Sequence, residues 1–397
     1  MGRIFKKRTS VDEALRLFLE RVSTIKKTEE ISLETCTDRV LAEAVISERN
    51  VPHYRRAAMD GYAVRASDTM GASPSNPVML QLSDRVEEGN STWVHTGALV
   101  PEGADAVVMM EDTMTAGNLV EIRAQVYPGR NVGNIGEDIK RGEVVFEEGH
   151  LLRPCDIAVL ASLGFGSVKV FKKPVVAVIP TGDELVSRQE ERDVPPPGMV
   201  LETNGLMSSL YVKKWGGIPR YLDIVPDNPD NIKRAIEANL DADMILLSGG
   251  TSVGKRDHAS EVVAALGELL VHGIGVSPGK PSALGIISNI PVVCLPGYPV
   301  AGLVSLYFFV RPGIRKLAAI PEIPEPILKK RLAAKISSKI GYVSFVRVVF
   351  EGDKVRPLTG NGDRVLTSVA KADGYVLVPE NVEGYEEGEE VDVFLIE

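Results

Sequence analysis

The densest group of residues able to hold an anion is Leu246–His258, which reads Leu-Leu-Ser-Gly-Gly-Thr-Ser-Val-Gly-Lys-Arg-Asp-His. Ser248, Thr251, Ser252 and Lys255 carry donors. Gly249, Gly250 and Gly254 let a backbone turn tightly and come close to a ligand. The short apolar run Met244–Leu247 before the loop reads as a buried strand, and Asp257 or His258 suits the cap of a helix over about Ala259–Leu270. Strand, glycine loop and helix start together make an anion or phosphate site, since unpaired helix N–H groups and the helix dipole converge there. The same turn also suits a plain connection, and the loop alone leaves both readings open.

Carboxylates recur at equivalent places. Continuous apolar strands are expected at Val175–Ile179, Tyr221–Val225, Met244–Leu247 and Pro291–Leu295, separated by helices such as Ile232–Leu240. Strands alternating with helices predict a parallel, doubly wound sheet, in which ligands sit outside the carboxyl ends of the strands. Thr181-Gly182-Asp183-Glu184, Asp227, Ser248–Asp257 and Pro296-Gly297-Tyr298-Pro299 all follow such strands, which puts them along one sheet edge. Carboxylates beside a glycine-cradled anion suggest a magnesium ion and phosphoryl chemistry, because magnesium binds through one or two carboxylates plus substrate phosphates.

At 397 residues the chain exceeds a single core, and two to four units are expected. A net charge of −9 argues against a nucleic-acid binder that works by phosphate neutralisation. Cys36, Cys155 and Cys294 fit neither a disulfide framework nor a zinc site, and point to a reducing cytoplasm. The five histidines show no ligand spacing. Met1–Ser10 lacks the apolar segment of a signal peptide. The longest apolar run, Val300–Val310, stops at Arg311 and is too short to span a bilayer, so it reads as a buried helix rather than a membrane segment.

Along the rest of the chain, Ser10-Val11-Asp12-Glu13 is a capping box before an amphipathic helix. Val51–Val64 mixes charged and aromatic residues in an ordered loop that ends in Met59-Asp60-Gly61-Tyr62. Short apolar runs from Val78 to Glu147 predict a β-rich module, interrupted by the Gly129–Asp138 loop. Pro154–Leu163 reads as a helix that would pack with the amino-terminal one, making the β module an insertion. Pro321–Pro326 is a stiff linker. Beyond it, Gly341–Phe350, Tyr375–Pro379 and Val391–Ile396 are expected strands of a small β domain, with turns at Glu351-Gly352-Asp353 and Asn361-Gly362-Asp363.

The segments Ala58-Met59-Asp60-Gly61-Tyr62-Ala63, His95-Thr96-Gly97-Ala98, Gly136-Glu137-Asp138, Thr181-Gly182-Asp183-Glu184-Leu185, Ser248–Gly254, Pro278-Gly279-Lys280-Pro281 and Leu295–Val300 occur in the order found in the MoeA family. The chain thus resembles the molybdopterin molybdenumtransferases, which are similar to the carboxyl-terminal domain of gephyrin, from about Ser10 onward. The resemblance implies a multidomain α/β plus β protein that forms a homodimer. Residues 1–46 with 147–173 would be a helical, extended dimerisation domain, and 47–146 an inserted β-rich domain. Residues 174–320 would be an α/β molybdopterin-binding domain like the adenylyltransferase MogA, and 321–397 a β-barrel.

It further implies hydrolysis of adenylylated molybdopterin to AMP, with insertion of molybdate or tungstate into the dithiolene and magnesium as cofactor. Asp60, Thr96, Asp138, Glu184, Asp227 and Asp257 would be the functional polar residues. Asp227 and Asp257 would lie near the metal and phosphates, while Asp60, Asp138 and Glu184 would shape the far wall. Thr181, Gly182, Ser248, Gly249, Gly250, Thr251, Ser252, Gly254, Lys280, Pro296, Gly297 and Pro299 would bind substrate. Partners implied are a MogA-like adenylyltransferase and apo-molybdoenzymes or tungstoenzymes. Two departures are Ser277, where the family usually carries Lys or Arg, and Ala301, where it often has Ser. Rival readings are an adenylyltransferase that makes the adenylylated pterin and a non-catalytic scaffold like gephyrin.

Overall fold

In a computed structural model, the structure describes residues 8–187, 194–249, 258–358 and 366–397. The chain divides into two compact units, one of Glu30–Thr37 with Leu41–Lys169, the other of the remaining residues.

The larger unit is built on a six-stranded sheet. Its strand order is Ile218–Tyr221, Val175–Pro180, Met244–Ser248, Ile290–Leu295, Ala283–Ile287, Glu268–His272. The first four strands are parallel. Their side chains alternate between two cores, as the strand period of two requires. Val176, Val178, Met244, Leu246, Val293 and Leu295 face one core, and Ala177, Ile179, Ile245, Leu247, Val292 and Cys294 the other. Both faces are covered, which explains why these strands are continuously apolar.

The sheet is mixed rather than wholly parallel. Ala283–Ile287 pairs antiparallel with both Ile290–Leu295 and Glu268–His272. The helix expected to reach Leu270 ends at Leu266, and Glu268–His272 is a strand instead. Gly267 makes this sharp change, since a Cβ there would lie 2.1 Å from the Ile286 carbonyl oxygen. The strand expected at Tyr221–Val225 is displaced to Ile218–Tyr221, because Ile218 is the residue that comes into register with Val175.

Ser10 caps the helix Val11–Arg21 through the Glu13 N–H. Val11, Ala14, Phe18 and Val22 bury in the α/β core, and the helix Pro154–Ser162, which was expected to pack with this one, is assigned to the other unit. Phe18 seats against Gly313, where a Cβ would sit 3.2 Å from its ring. Helical backbone does not end with the apolar run at Val310. It continues through one wide turn at Leu306–Val310 to Leu317, and Arg311 is buried and ion-paired to Glu325 of the proline-rich segment. Among the described residues no helix is long and apolar enough to cross a membrane.

In the same unit the carboxyl-terminal strands close into a barrel. Val343–Glu351 pairs with Lys354–Pro357, which pairs with Ile327–Leu332, then Glu390–Leu395, then Gly374–Val378 and back to Val343–Glu351. Closure leaves no open edge among these five strands. Leu332, Val348, Val355, Val376, Val378, Val391 and Val393 fill the interior. Asn361-Gly362-Asp363 lies outside the described residues.

The smaller unit contains a six-stranded sheet in the order Ala106–Met109, Gly61–Val64, Asn90–Val94, Val78–Leu82, Leu119–Ile122, Thr113–Ala116. Tyr62, Val64, Leu80, Val108, Val120 and Ile122 pack on one side, and Ala63, Val94 and Val107 on the other.

Candidate functional site

The carboxyl ends of the central strands of the α/β sheet are laced together by main-chain bonds. The Thr181 N–H donates to the Ser248 carbonyl at 2.8 Å, and the Gly249 N–H to the Leu295 carbonyl at 3.2 Å. Gly182 N–H reaches the Val225 carbonyl, which draws the following Pro226-Asp227 alongside Gly182-Asp183. There Asp183 accepts the Asp227 N–H at 3.0 Å. Thus Thr181, Gly182, Ser248, Gly249, Pro296, Gly297 and Asp227 converge as the topology requires.

Gly249 makes this convergence sterically feasible. Its φ is +111°, and a Cβ would lie 2.1 Å from the Thr181 carbonyl oxygen. Gly182 serves differently, because the Glu184 carboxylate folds back to within 2.9 Å of where its Cβ would be. Pro299 starts the helix Pro299–Ser305, and buried Pro296 precedes exposed Gly297. Asp257, Gly250, Thr251, Ser252 and Gly254, with Lys255, lie outside the described residues.

Two groups here were missed by sequence reasoning. Asn204, first residue of the helix Asn204–Lys214, donates from Nδ2 to the Gly297 carbonyl at 2.7 Å, while its Oδ1 is buried without a hydrogen-bond partner among the described residues. The Thr181 hydroxyl is likewise buried and has no partner among the described residues. Buried polar atoms without partners are costly, so these two are the atoms best suited to meet polar groups of a ligand. Glu202 is the second missed group. It is buried and accepts the Gly205 N–H at 2.5 Å and the Tyr221 hydroxyl, which fixes the start of the Asn204 helix. The signal available was Glu-Thr-Asn-Gly just before a helical stretch.

The Lys280 ammonium lies 4.0 Å from the centre of the Tyr342 ring. Ser277 is in the short strand Val276–Ser277, paired with Val343 and Ser344 of the barrel. Ala301 is buried in the helix behind Pro299.

In the smaller unit Asp60 and Thr96 are brought together. Asp60 Oδ1 accepts the Thr96 N–H at 2.6 Å and the Thr96 hydroxyl at 3.0 Å, and His95 Nδ1 is 3.9 Å away. The Thr96 amide, then its hydroxyl, then His95 hold the Asp60 carboxyl below the usual carboxylate range. Asp60 is aimed by Gly61, whose Cβ would fall 1.9 Å from the Val108 carbonyl oxygen. Asp138 is exposed in a loop pinned to Val51 and Pro52 by the N–H groups of Asp138 and Gly136.

Among the described residues no group of three His, Cys, Asp or Glu side chains could hold a metal ion. Asp183 and Asp227 are neighbours through the bond already described, and they offer oxygen donors only. That set suits a hard cation shared with substrate oxygens rather than zinc in a closed protein cage.

Three family models match the chain. The MoeA N-terminal region (domain I and II) covers residues 9–164, a probable molybdopterin binding domain 177–316, and the MoeA C-terminal region (domain IV) 329–396. A putative molybdopterin biosynthesis protein of Methanocaldococcus jannaschii is 38% identical, over 99% of this chain and 100% of that one. The molybdopterin molybdenumtransferase of Bacillus subtilis is 32% identical, over 99% and 96%. The crystal structure of the molybdopterin biosynthesis moeA protein of Pyrococcus horikoshii OT3 aligns with a TM-score of 0.85 at 33% identity, covering 98% of this chain and 100% of that one.

Proposed function

The chain belongs to the MoeA family, and from that premise we propose that it is a molybdopterin molybdenumtransferase. It hydrolyses adenylylated molybdopterin, releases AMP and inserts molybdate, or tungstate, into the dithiolene. The observation that carries the reading is the strand-end cluster, where Thr181 Oγ1 and Asn204 Oδ1 are buried without partners among the described residues. Asn204 is fixed through its amide nitrogen, so its oxygen is an acceptor for N–H groups of a polar heterocycle such as a pterin. The Thr181 hydroxyl both donates and accepts.

Asp227, with Asp257, is the proposed holder of magnesium, alongside substrate phosphate oxygens. When bound, the ion neutralises charge on the phosphoanhydride oxygens. The loop containing Ser248, Gly249, Gly250, Thr251, Ser252 and Gly254 cradles the phosphates, and Gly182, Lys280, Pro296, Gly297 and Pro299 complete the substrate contacts. Glu184 is proposed for proton transfer. Asp60, Thr96 and Asp138 are proposed as the catalytic polar set of the smaller unit, with Asp60 kept ionised by Thr96. We place the protein in the cytoplasm as a homodimer that receives its nucleotide from an adenylyltransferase and passes its product to apo-enzymes.

The test is incubation with adenylylated molybdopterin, magnesium and either molybdate or tungstate, following AMP. Release that depends on both the metal ion and the oxyanion is expected. Formation of adenylylated pterin from molybdopterin and ATP, with no such release, would overturn the reading. Asp257→Asn keeps the size of the side chain while removing its charge, so it should fold normally and lose metal-dependent turnover.

A further inference from the structure

Three segments distant in sequence meet beside Lys280. Thr9 is bridged to Ile274, its N–H donating to the Gly273 carbonyl and its carbonyl accepting the Gly275 N–H. The Ile274 N–H donates to the Lys280 carbonyl, and the Val343 N–H to the Gly275 carbonyl. The backbone therefore places Arg8, Lys280 and Tyr342 at one point. The Arg8 guanidinium lies 4.3 Å from the centre of the Tyr342 ring and the Lys280 ammonium 4.0 Å from it. Gly341 makes room for this, since a Cβ there would sit 2.5 Å from Arg8 Nη2.

Two like charges on one side chain repel each other, and what offsets this is the ring's negative face and the phenol oxygen. Tyr342 is half-buried at the bend just before the barrel strand Val343–Glu351, whereas Lys280 is exposed at the end of a flexible stem. The ring is thus the fixed member and the ammonium the one that is held. Hydrogen bonds from Arg8, then the charge and hydrogen bond of Lys280, also draw the phenol below its ordinary range.

We propose that Tyr342 is a positioning residue that fixes the Lys280 ammonium by cation–π contact, with Arg8 stacked on the same ring, so that the barrel sets the aim of a lysine of the α/β domain. The inference rests on the functional reading only in taking Lys280 as a substrate contact. A lysine otherwise free over several rotamers is then held in one direction, which lowers the entropic cost of its meeting an anionic group.

The test uses the full chain. Lys280→Met identifies which KM, for adenylylated molybdopterin or for molybdate, the ammonium serves. Tyr342→Leu should raise that same KM about 2- to 30-fold, the range a cation–π contact supports, with kcat little changed. Tyr342→Phe keeps the ring face and should recover most of the loss. In a Lys280→Met background, Tyr342→Leu should add nothing, because the two act through one contact. An unchanged KM in Tyr342→Leu, or additive effects in the double variant, would overturn the proposal.

A second readout needs no turnover. Of the ten tyrosines, one should ionise at lower pH than the rest by phenolate absorbance, and Lys280→Met or Arg8→Gln should move it upward. If the wild-type chain releases no AMP yet this titration behaves as stated, the functional reading fails and the contact stands. If no tyrosine titrates early, the positioning proposal falls on its own.

Discussion

Replacing Gly249 with alanine tests the convergence of strand ends most directly. The added Cβ would lie 2.1 Å from the Thr181 carbonyl oxygen and 3.1 Å from its hydroxyl, at a φ of +111°. An ordinary carbon–oxygen contact is on the order of 3.3 Å, so something must yield by roughly 1 Å. The backbone on either side is committed, with Thr181 N–H on the Ser248 carbonyl and Gly249 N–H on the Leu295 carbonyl. Overpacking costs about 1–3 kcal/mol and a non-glycine residue held in that backbone region about another 1–3 kcal/mol, so Gly249→Ala should lose about 2–6 kcal/mol. Gly297→Ala is the internal control. Its Cβ meets nothing nearer than Gly249 Cα at 3.9 Å, and its φ is not positive, so it should lose less than about 1 kcal/mol. Urea unfolding of the two variants beside the wild type gives the comparison, with AMP release measured in parallel. Equal unfolding midpoints for Gly249→Ala and wild type would refute the close approach of the two strand ends.

Three further outcomes are expected. Phe18→Ala should cost about 3–5 kcal/mol, because the ring is fully buried in the α/β core beside Met244 and Gly313, and calorimetry checks it. Thr96→Val should raise the Asp60 carboxyl part of the way toward its ordinary value, since the hydroxyl bond is lost and the amide bond stays; carbon-13 NMR titration of the Asp60 carboxyl reads this, and turnover should fall less than in Asp60→Ala. Asp156 is buried and held far below the carboxylate range by Arg153, first through its side chain and then its backbone N–H, and by His150. A depressed folded value means that the stabilisation is complete above the unfolded value of about 3.9 and drains as pH falls through the folded one. Asp156→Asn should therefore lose stability at neutral pH and flatten the acid limb of the stability curve below about pH 4, whereas an unchanged acid limb would remove Asp156 as its source.

The central parallel strands were legible in the sequence because burial on both faces leaves no polar alternation, and Val175–Pro180, Met244–Ser248 and Ile290–Leu295 appear where the apolar runs are. With these strands placed, the strand-end rule located Thr181, Gly182, Ser248, Gly249, Pro296 and Gly297 without any coordinates. Some partially buried strands were not legible. Ile327–Leu332 carries Lys329, Lys330 and Arg331, and Lys354–Pro357 alternates charge with apolar residues and ends in proline, so neither reads as a strand until barrel closure gives each a partner on both sides. Glu268–Leu270 reads as a continuation of the preceding helix for the same reason, since the strand Glu268–His272 depends on pairing with Ala283–Ile287, a contact between residues that no local pattern connects.

The site divides in the same way. Residue types, glycine spacing and strand ends singled out Asp227 and the loop after Ser248, whereas Asp60 and Thr96 were named through the family resemblance. That Thr96 holds Asp60, that Asn204 is anchored on Gly297 with one acceptor unpartnered among the described residues, and that Tyr342 holds Lys280 follow only from the tertiary structure. Sequence fixes the chemical capacity of a side chain and its local backbone. The partner that sets a carboxylate's proton affinity or a lysine's direction comes from contacts between segments tens to hundreds of residues apart, and those are decided by how the sheets and the barrel close.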